Sequence, residues 1–137
     1  QGRSQAYRGF NLLLGAKGDY FYFSNRSENI VNLAPGYYGL SNQLLDCDWP
    51  KVRLGQQKLR RAQEAGFDST SLFELLADKG GDEAFSASFI ESTEYGTCAS
   101  TVLNVSSEGQ VNFEEQNFLP MGRKGARNQF SFVMARS

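Results

Sequence analysis

The chain has 137 residues, with 14 Lys and Arg against 15 Asp and Glu, and no histidine. Its length suits a single domain over residues 1–137, and a net charge of −1 exerts no global pull toward nucleic acid or anionic lipid. The lack of histidine removes the commonest general base, the usual zinc ligand and every Ser-His-Asp or Cys-His arrangement.

Hydrophobic residues make up 40%, including 11 Phe, which supports a packed interior rather than disorder. No apolar run approaches the roughly 20 residues of a membrane span, and the opening QGRSQAYRG is too polar for a signal peptide. Two cysteines do not make a disulfide framework, so a reducing, cytoplasmic setting is expected.

In chain order, Phe10–Leu14 and Tyr20–Phe23 read as strands joined by a turn over residues 15–19. Both are nearly continuous apolar runs, the pattern of strands covered on both faces. Ile30–Leu33 suits a short strand, Pro35 and Gly36 a turn, and Tyr37–Ser41 a further strand. The period then changes. Pro50–Ala65 reads as a helix, with Asp48 as N-cap, Pro50 in the first turn and Gly66 at the end. Val52, Gly55, Leu59 and Ala62 fall on one face, where the glycine predicts close approach to a neighbour. Lys51, Arg53, Lys58, Arg60 and Arg61 make the rest basic.

A second helix is predicted from Ser69 or Thr70 to about Lys79, burying Leu72, Phe73, Leu75 and Leu76, with Ser71 and Glu74 as a capping-box pair. Tyr95–Val105 alternates as a strand, residues 106–110 turn, and Val111–Leu119 returns. Gly122–Asn128 reads as a basic loop and Phe130–Met134 as a last strand. Segregated sheet and helices argue for an α+β fold. Six apolar strands and two helices leave too little material to cover the sheet, so a further layer is expected from sequence outside this chain or from a second copy.

The segment YYGLSNQLLDCDWPKV at Tyr37–Val52 resembles the Gly-Leu-Ser-Asn … Asp … Trp-Pro-Lys-Val signature of the NRDE family, the relatives of the transport-and-Golgi-organisation protein. RGFNLLLG at Arg8–Gly15, YFSNR at Tyr22–Arg26 and YGTCASTVLNVSSEGQVNFEEQNF at Tyr95–Phe118 agree and stand in the family's order. The resemblance implies that this chain is the C-terminal half of a protein about twice its length. The N-terminal half, which opens with Met-Cys and carries the Asn-Arg-Asp-Glu motif, is absent.

The implied fold is an αββα four-layer sandwich similar to N-terminal-nucleophile hydrolases. In those enzymes an N-terminal Cys attacks an amide with its own α-amine as base, so no histidine is needed. By similarity Asn42 would orient or stabilise the reacting centre as a neutral oxyanion donor. Cys98 stands where the family's Tyr-Gly-Thr-Arg sequence places an arginine, which removes a cation. Asn42, Asp46, Trp49 and Cys98 are the positions expected to line a cleft.

The resemblance implies a role in trafficking or Golgi organisation, or the handling of a hydrophobic ligand such as haem or an acyl chain. The alternative is an amide hydrolase whose nucleophile lies in the absent half. The chain by itself is then expected to be inactive, with the N-terminal half or a second copy as partner.

Each residue also has a plainer reading. Asn42 suits a turn, Asp46 and Asp48 suit caps, and Trp49, Pro50 and Lys51 suit a helix start. Cys47 and Cys98 read as buried small hydrophobes, as a redox pair in contact, or as a nucleophile needing a neighbouring base or cation. The basic helix and the Arg123–Arg127 segment read as solvated faces or as a phosphate site. Their glycines do not make a dinucleotide or P-loop motif, nothing suggests nucleic acid, and no zinc site is expected.

Overall fold

The computed structural model describes residues 8–16, 18–27, 29–81 and 86–134. The elements run β1 (Asn11–Ala16), β2 (Asp19–Ser24), β3 (Ile30–Asn32), α1 (Pro50–Glu64), α2 (Ser69–Leu76), β4 (Ala99–Val105), β5 (Gln110–Leu119) and β6 (Arg123–Val133). The chain is α+β, with two antiparallel three-stranded sheets ordered β1-β2-β3 and β4-β5-β6. It divides into two compact units, Gln1–Gln57 and Lys58–Ser137.

In the first unit, Leu12 pairs with Phe23 and Leu14 with Phe21, while Phe23 pairs with Ile30. Side chains alternate between faces of a strand, so Leu12, Leu14, Phe21, Phe23 and Ile30 share one face. Covered strands were expected, but Leu12, Leu13 and Leu14 are 42%, 54% and 57% exposed and Ile30 is 71% exposed. The physical reason is that β1 and β3 are edge strands, and among the described residues of this unit no second layer covers Leu12, Leu14 and Ile30; Leu13, on the opposite face, is exposed as well.

The opposite face carries Tyr22, which is buried. Its hydroxyl donates to Asn11 Oδ1 at 2.8 Å and accepts from the Leu45 N–H at 3.1 Å. A buried phenol needs such partners, and here they tie the following loop to the sheet.

Tyr37–Ser41 is not a strand; only an isolated bridge links Leu40 to Leu45. The Gly39 N–H donates to Asp46 Oδ1 and its carbonyl accepts from the Asp46 N–H, both at 2.7 Å. Groups that a sheet ladder would use are thus spent on closing a loop. A Cβ at Gly39 would lie 2.7 Å from Val52 Cγ1, so this position also needs glycine to seat α1.

Helix α1 starts at Pro50, with the Trp49 carbonyl accepting from the Val52 and Arg53 N–H groups. Asp48 is therefore one residue too early to be the N-cap; it pairs with Arg53 instead. Gly66 has φ 104° just past the helix, the left-handed ending that glycine adopts without strain. At Gly55 the expected close approach fails, because a Cβ there would meet nothing within 4 Å.

The second unit has its core where Leu72 of α2 meets Ala62 and Val102, with Leu59, Phe73 and Leu76 packed around them. Helix α2 is capped by Asp68, whose carboxylate accepts from the Ser71 N–H at 2.8 Å, while the Ser71 hydroxyl donates to the Asp68 carbonyl. Ser71 is thus the third helical residue of the box rather than its first. The helix ends at Leu76 rather than Lys79, because Asp78 leaves it to pair with Lys58 at 2.8 Å.

The predicted loop 122–128 is instead mostly strand. Only Pro120–Gly122 turns, and β6 runs from Arg123, paired with β5 through Phe118–Lys124 and Gln116–Arg127 across a bulge. The basic side chains of this stretch thus stand on a strand. The helix-side face of this sheet carries Ser100, Val102, Glu114, Gln116 and Arg127. The other carries Leu103, Val105, Phe113, Phe130 and Phe132, as the register and alternation dictate. Leu103, Phe130 and Phe132 are 59%, 60% and 55% exposed. The covered face is the more polar one; on the apolar face the side chains of the outer strands are exposed, while Val111 on the central strand is buried.

Candidate functional site

The first unit holds a cavity of about 390 Å³ between the β2–β3 region and the loop that Asp46 closes. Val31, Leu33, Leu44 and Leu45 supply its apolar wall, and Tyr22 and Tyr38 add aromatic surface. Ser27, Asn29, Asn32 and Asp46 are its polar members. This volume falls within the roughly 300–1,000 Å³ typical of small-ligand sites, as does the mixture of apolar walls and a few polar groups.

Local chemistry builds the wall. Asp46 sits at φ 51°, a left-handed conformation that Asp tolerates better than most residues. Its Oδ1 accepts from both the Gly39 N–H and Gln56 Nε2, each at 2.7 Å, so the loop is pinned at its neck and to α1. On the sheet side, Asn11 Nδ2 donates to the Ser41 and Gln43 carbonyls at 3.5 and 3.3 Å. The Tyr38 hydroxyl donates to the Ala34 carbonyl at 2.8 Å, folding the segment before the loop.

Of the predicted cleft residues, Asp46 alone lines this cavity. Asn42 is exposed on the bend between Leu40 and Leu45, and its side chain makes no hydrogen bond among the described residues. Trp49 is half-buried at the start of α1, with Lys51 Nζ 5.3 Å from its ring centroid. Cys98 belongs to the second unit, where it is exposed and its thiol lies 3.6 Å from the Gly96 carbonyl.

Both cysteines are free thiols. Cys47 Sγ is 3.2 Å from the Ser41 hydroxyl. The hydrogen-bond partner of each thiol, the Ser41 hydroxyl and the Gly96 carbonyl, is neither the cation nor the base that a nucleophilic thiolate requires.

Sequence reading missed Asn11, Tyr22 and Tyr38. The signal available was a pair of tyrosines within apolar runs, since a phenol placed in an interior predicts a hydrogen-bond partner nearby. The partners, Asn11 and Leu45, are far away in sequence and could not be read from it.

In the second unit the densest polar cluster surrounds Glu114 on the covered face. Ser69 Oγ donates to Glu114 Oε1 at 2.5 Å, and Arg127 Nη2 to Oε2 at 2.6 Å. These two bonds, the Ser69 one foremost, hold the carboxyl below the ordinary glutamate range. The Arg127 guanidinium also lies 4.6 Å from the centroid of the Phe73 ring. Every strong group here is already satisfied, so the cluster serves α2 docking. Among the described residues no three His, Cys, Asp or Glu side chains converge as a metal site, and no helix is long and apolar enough to cross a membrane.

These features define an α+β chain with a small apolar cavity in its N-terminal unit. The chain belongs to the Transport and Golgi organisation 2 family, whose model matches residues 1–120. It is 36% identical to a Transport and Golgi organization protein 2 homolog from Bos taurus and 32% identical to that from Homo sapiens. Each match covers 82% of this chain and 52% of the relative. A Mus musculus homolog is 30% identical over the same shares. The chain spans about half the length of the curated relatives it matches.

Proposed function

We propose that this chain is the ligand-holding part of its family's protein and that it carries a hydrophobic small molecule in the cavity beside Tyr22. The observation that carries this reading is the cavity itself, with Val31, Leu33, Leu44 and Leu45 on its walls. The relatives' names, transport and Golgi organisation, agree with a trafficking role for such a carrier. Acyl chains and haem are the ligand classes the family resemblance brings forward. Two free thiols are in keeping with a reducing, cytoplasmic setting.

Each sheet keeps exposed apolar side chains on one face, Leu12, Leu14 and Ile30 in one unit and Leu103, Phe130 and Phe132 in the other. Apolar patches of this kind support a layered αββα architecture, in which further strands come from the remaining half of the family's length or from a second copy.

The test is calorimetric titration of the chain with decanol, an uncharged alkyl probe. Saturable one-to-one binding that Leu44→Trp abolishes is expected. Absence of saturable binding would sink the carrier reading.

An amide-hydrolase reading keeps one supporting observation, the exposed Asn42 side chain on its bend, free to meet a reacting centre completed by the family's N-terminal half. Acyl-amide turnover by a full-length relative, lost when the residue aligned with Asn42 becomes Ala, is its test.

A further inference from the structure

We infer that the cavity beside Tyr22 selects ligands by head-group charge: it takes an apolar molecule with an uncharged or cationic, hydrogen-bond-donating head and rejects acidic heads. The inference deepens the carrier reading above and rests on it.

The lining groups carry the argument. No Lys or Arg lines the cavity among the described residues, and the single charged group that does is Asp46. Arg26, the cation nearest in sequence to the lining residue Ser27, is directed elsewhere: its guanidinium lies against Gly9, where a Cβ would stand. The two phenols are already committed, Tyr22 to Asn11 and Leu45 and Tyr38 to Ala34. They have no proton to offer an incoming anion.

Asp46 is committed on one side only. Oδ1 receives Gly39 and Gln56, while Oδ2 receives no hydrogen bond among the described residues. An open carboxylate oxygen on a lining residue asks for a donor: an alcohol, an amide N–H or an ammonium. A carboxylate or phosphate head would find no counter-charge among the described lining residues. Such a head would also face Asp46, and like charges about 4 Å apart cost about 1 kcal/mol even at the dielectric of water.

The experiment compares three probes that share one alkyl chain, namely decanol, decylammonium and decanoate, by calorimetry on the chain at fixed ionic strength. Decanol and decylammonium are expected to bind one-to-one, with decanoate at least about fivefold weaker than decanol. Asp46→Asn keeps an oxygen for the Gly39 N–H and tolerates the left-handed backbone, so the loop stays closed. In this variant decylammonium is expected to lose its advantage over decanoate, the readout being the ratio of those two affinities.

Decanoate binding as tightly as decanol to the unaltered chain overturns the charge selection and leaves the carrier reading standing. Failure of all three probes overturns both. An unchanged ranking of the charged probes in Asp46→Asn removes Asp46 as its source and overturns the inference.

Discussion

The Asp46 carboxylate closes on the Gly39 backbone N–H at 2.7 Å, and the Asp46 N–H returns a bond of the same length to the Gly39 carbonyl. The residues between them, 40–45, are thereby tied into a loop that carries Asn42 on its bend and forms part of the cavity wall with Leu44 and Leu45. A charged acceptor, a left-handed backbone and a glycine pressed against Val52 all meet at this one neck.

Asp46→Ala removes the acceptor shared by Gly39 and Gln56 and puts an unsuited residue at φ 51°. A loss of about 2 kcal/mol is expected in urea denaturation. Asp46→Asn should lose less than half as much. Equal losses would mean that the charge, rather than the hydrogen bonds, holds the loop.

Gly55 lies inside α1 with open space where a Cβ would go. Gly55→Ala removes the entropy penalty of a mid-helix glycine, and a gain of about 0.5–1 kcal/mol is expected. Thermal melting checks it; a lowered Tm would reveal a close contact at this position after all.

Glu114 gives the second unit its acid sensitivity. Its carboxyl is held below the ordinary value of 4.5 by Ser69 and then Arg127. The unfolded chain therefore takes up the proton first as pH falls. The stabilisation is present above about pH 4.5 and is lost as pH drops through the lower folded value. Asp68, held down by the Ser71 N–H, and Asp78, held down by Lys58, act in the same direction. Glu114→Gln should flatten the acid limb of a stability–pH profile while those two carboxylates keep the remainder.

Leu72→Ala should cost about 2–4 kcal/mol, because the side chain is shared between α2, Ala62 and Val102. The expected loss of cooperativity is confined to the second unit. Hydrogen exchange resolved by segment would show amides of β4 exposed before those of β2.

The exposed aromatic side chains of β6 should make the chain self-associate. Phe130→Asp with Phe132→Asp is expected to shift light scattering toward monomer while the far-ultraviolet circular dichroism stays unchanged, since both side chains are more than half exposed. Unchanged association would place the contact elsewhere.

Periodicity made the element order legible. The two helices, the β4–β5 hairpin and the α+β class follow from 3.6- and 2-residue repeats, which depend only on neighbours along the chain. Tyr37–Ser41 was not legible as a loop, because its strand-like composition is overridden by Asp46. The stretch 123–128 was not legible as strand, because its glycine and charges are held by β5 pairing. The likeness of Tyr37–Val52 to the family signature identified the family but left the site open, since Asn42, Asp46 and Trp49 fall in three different environments within that one stretch.

Sequence by itself determined what each segment prefers, which family the chain belongs to, and which chemistries its composition cannot supply. Tertiary structure decided that the covered face of β4–β6 is the polar one and that Asp46 is a clasp rather than a helix cap. It also decided that a cavity opens beside Tyr22. Each of these depends on partners far apart along the chain, such as Asn11 with the loop near Ser41 or Ser69 with Glu114. Local preference carries no information about which distant backbone groups will be brought within hydrogen-bond reach.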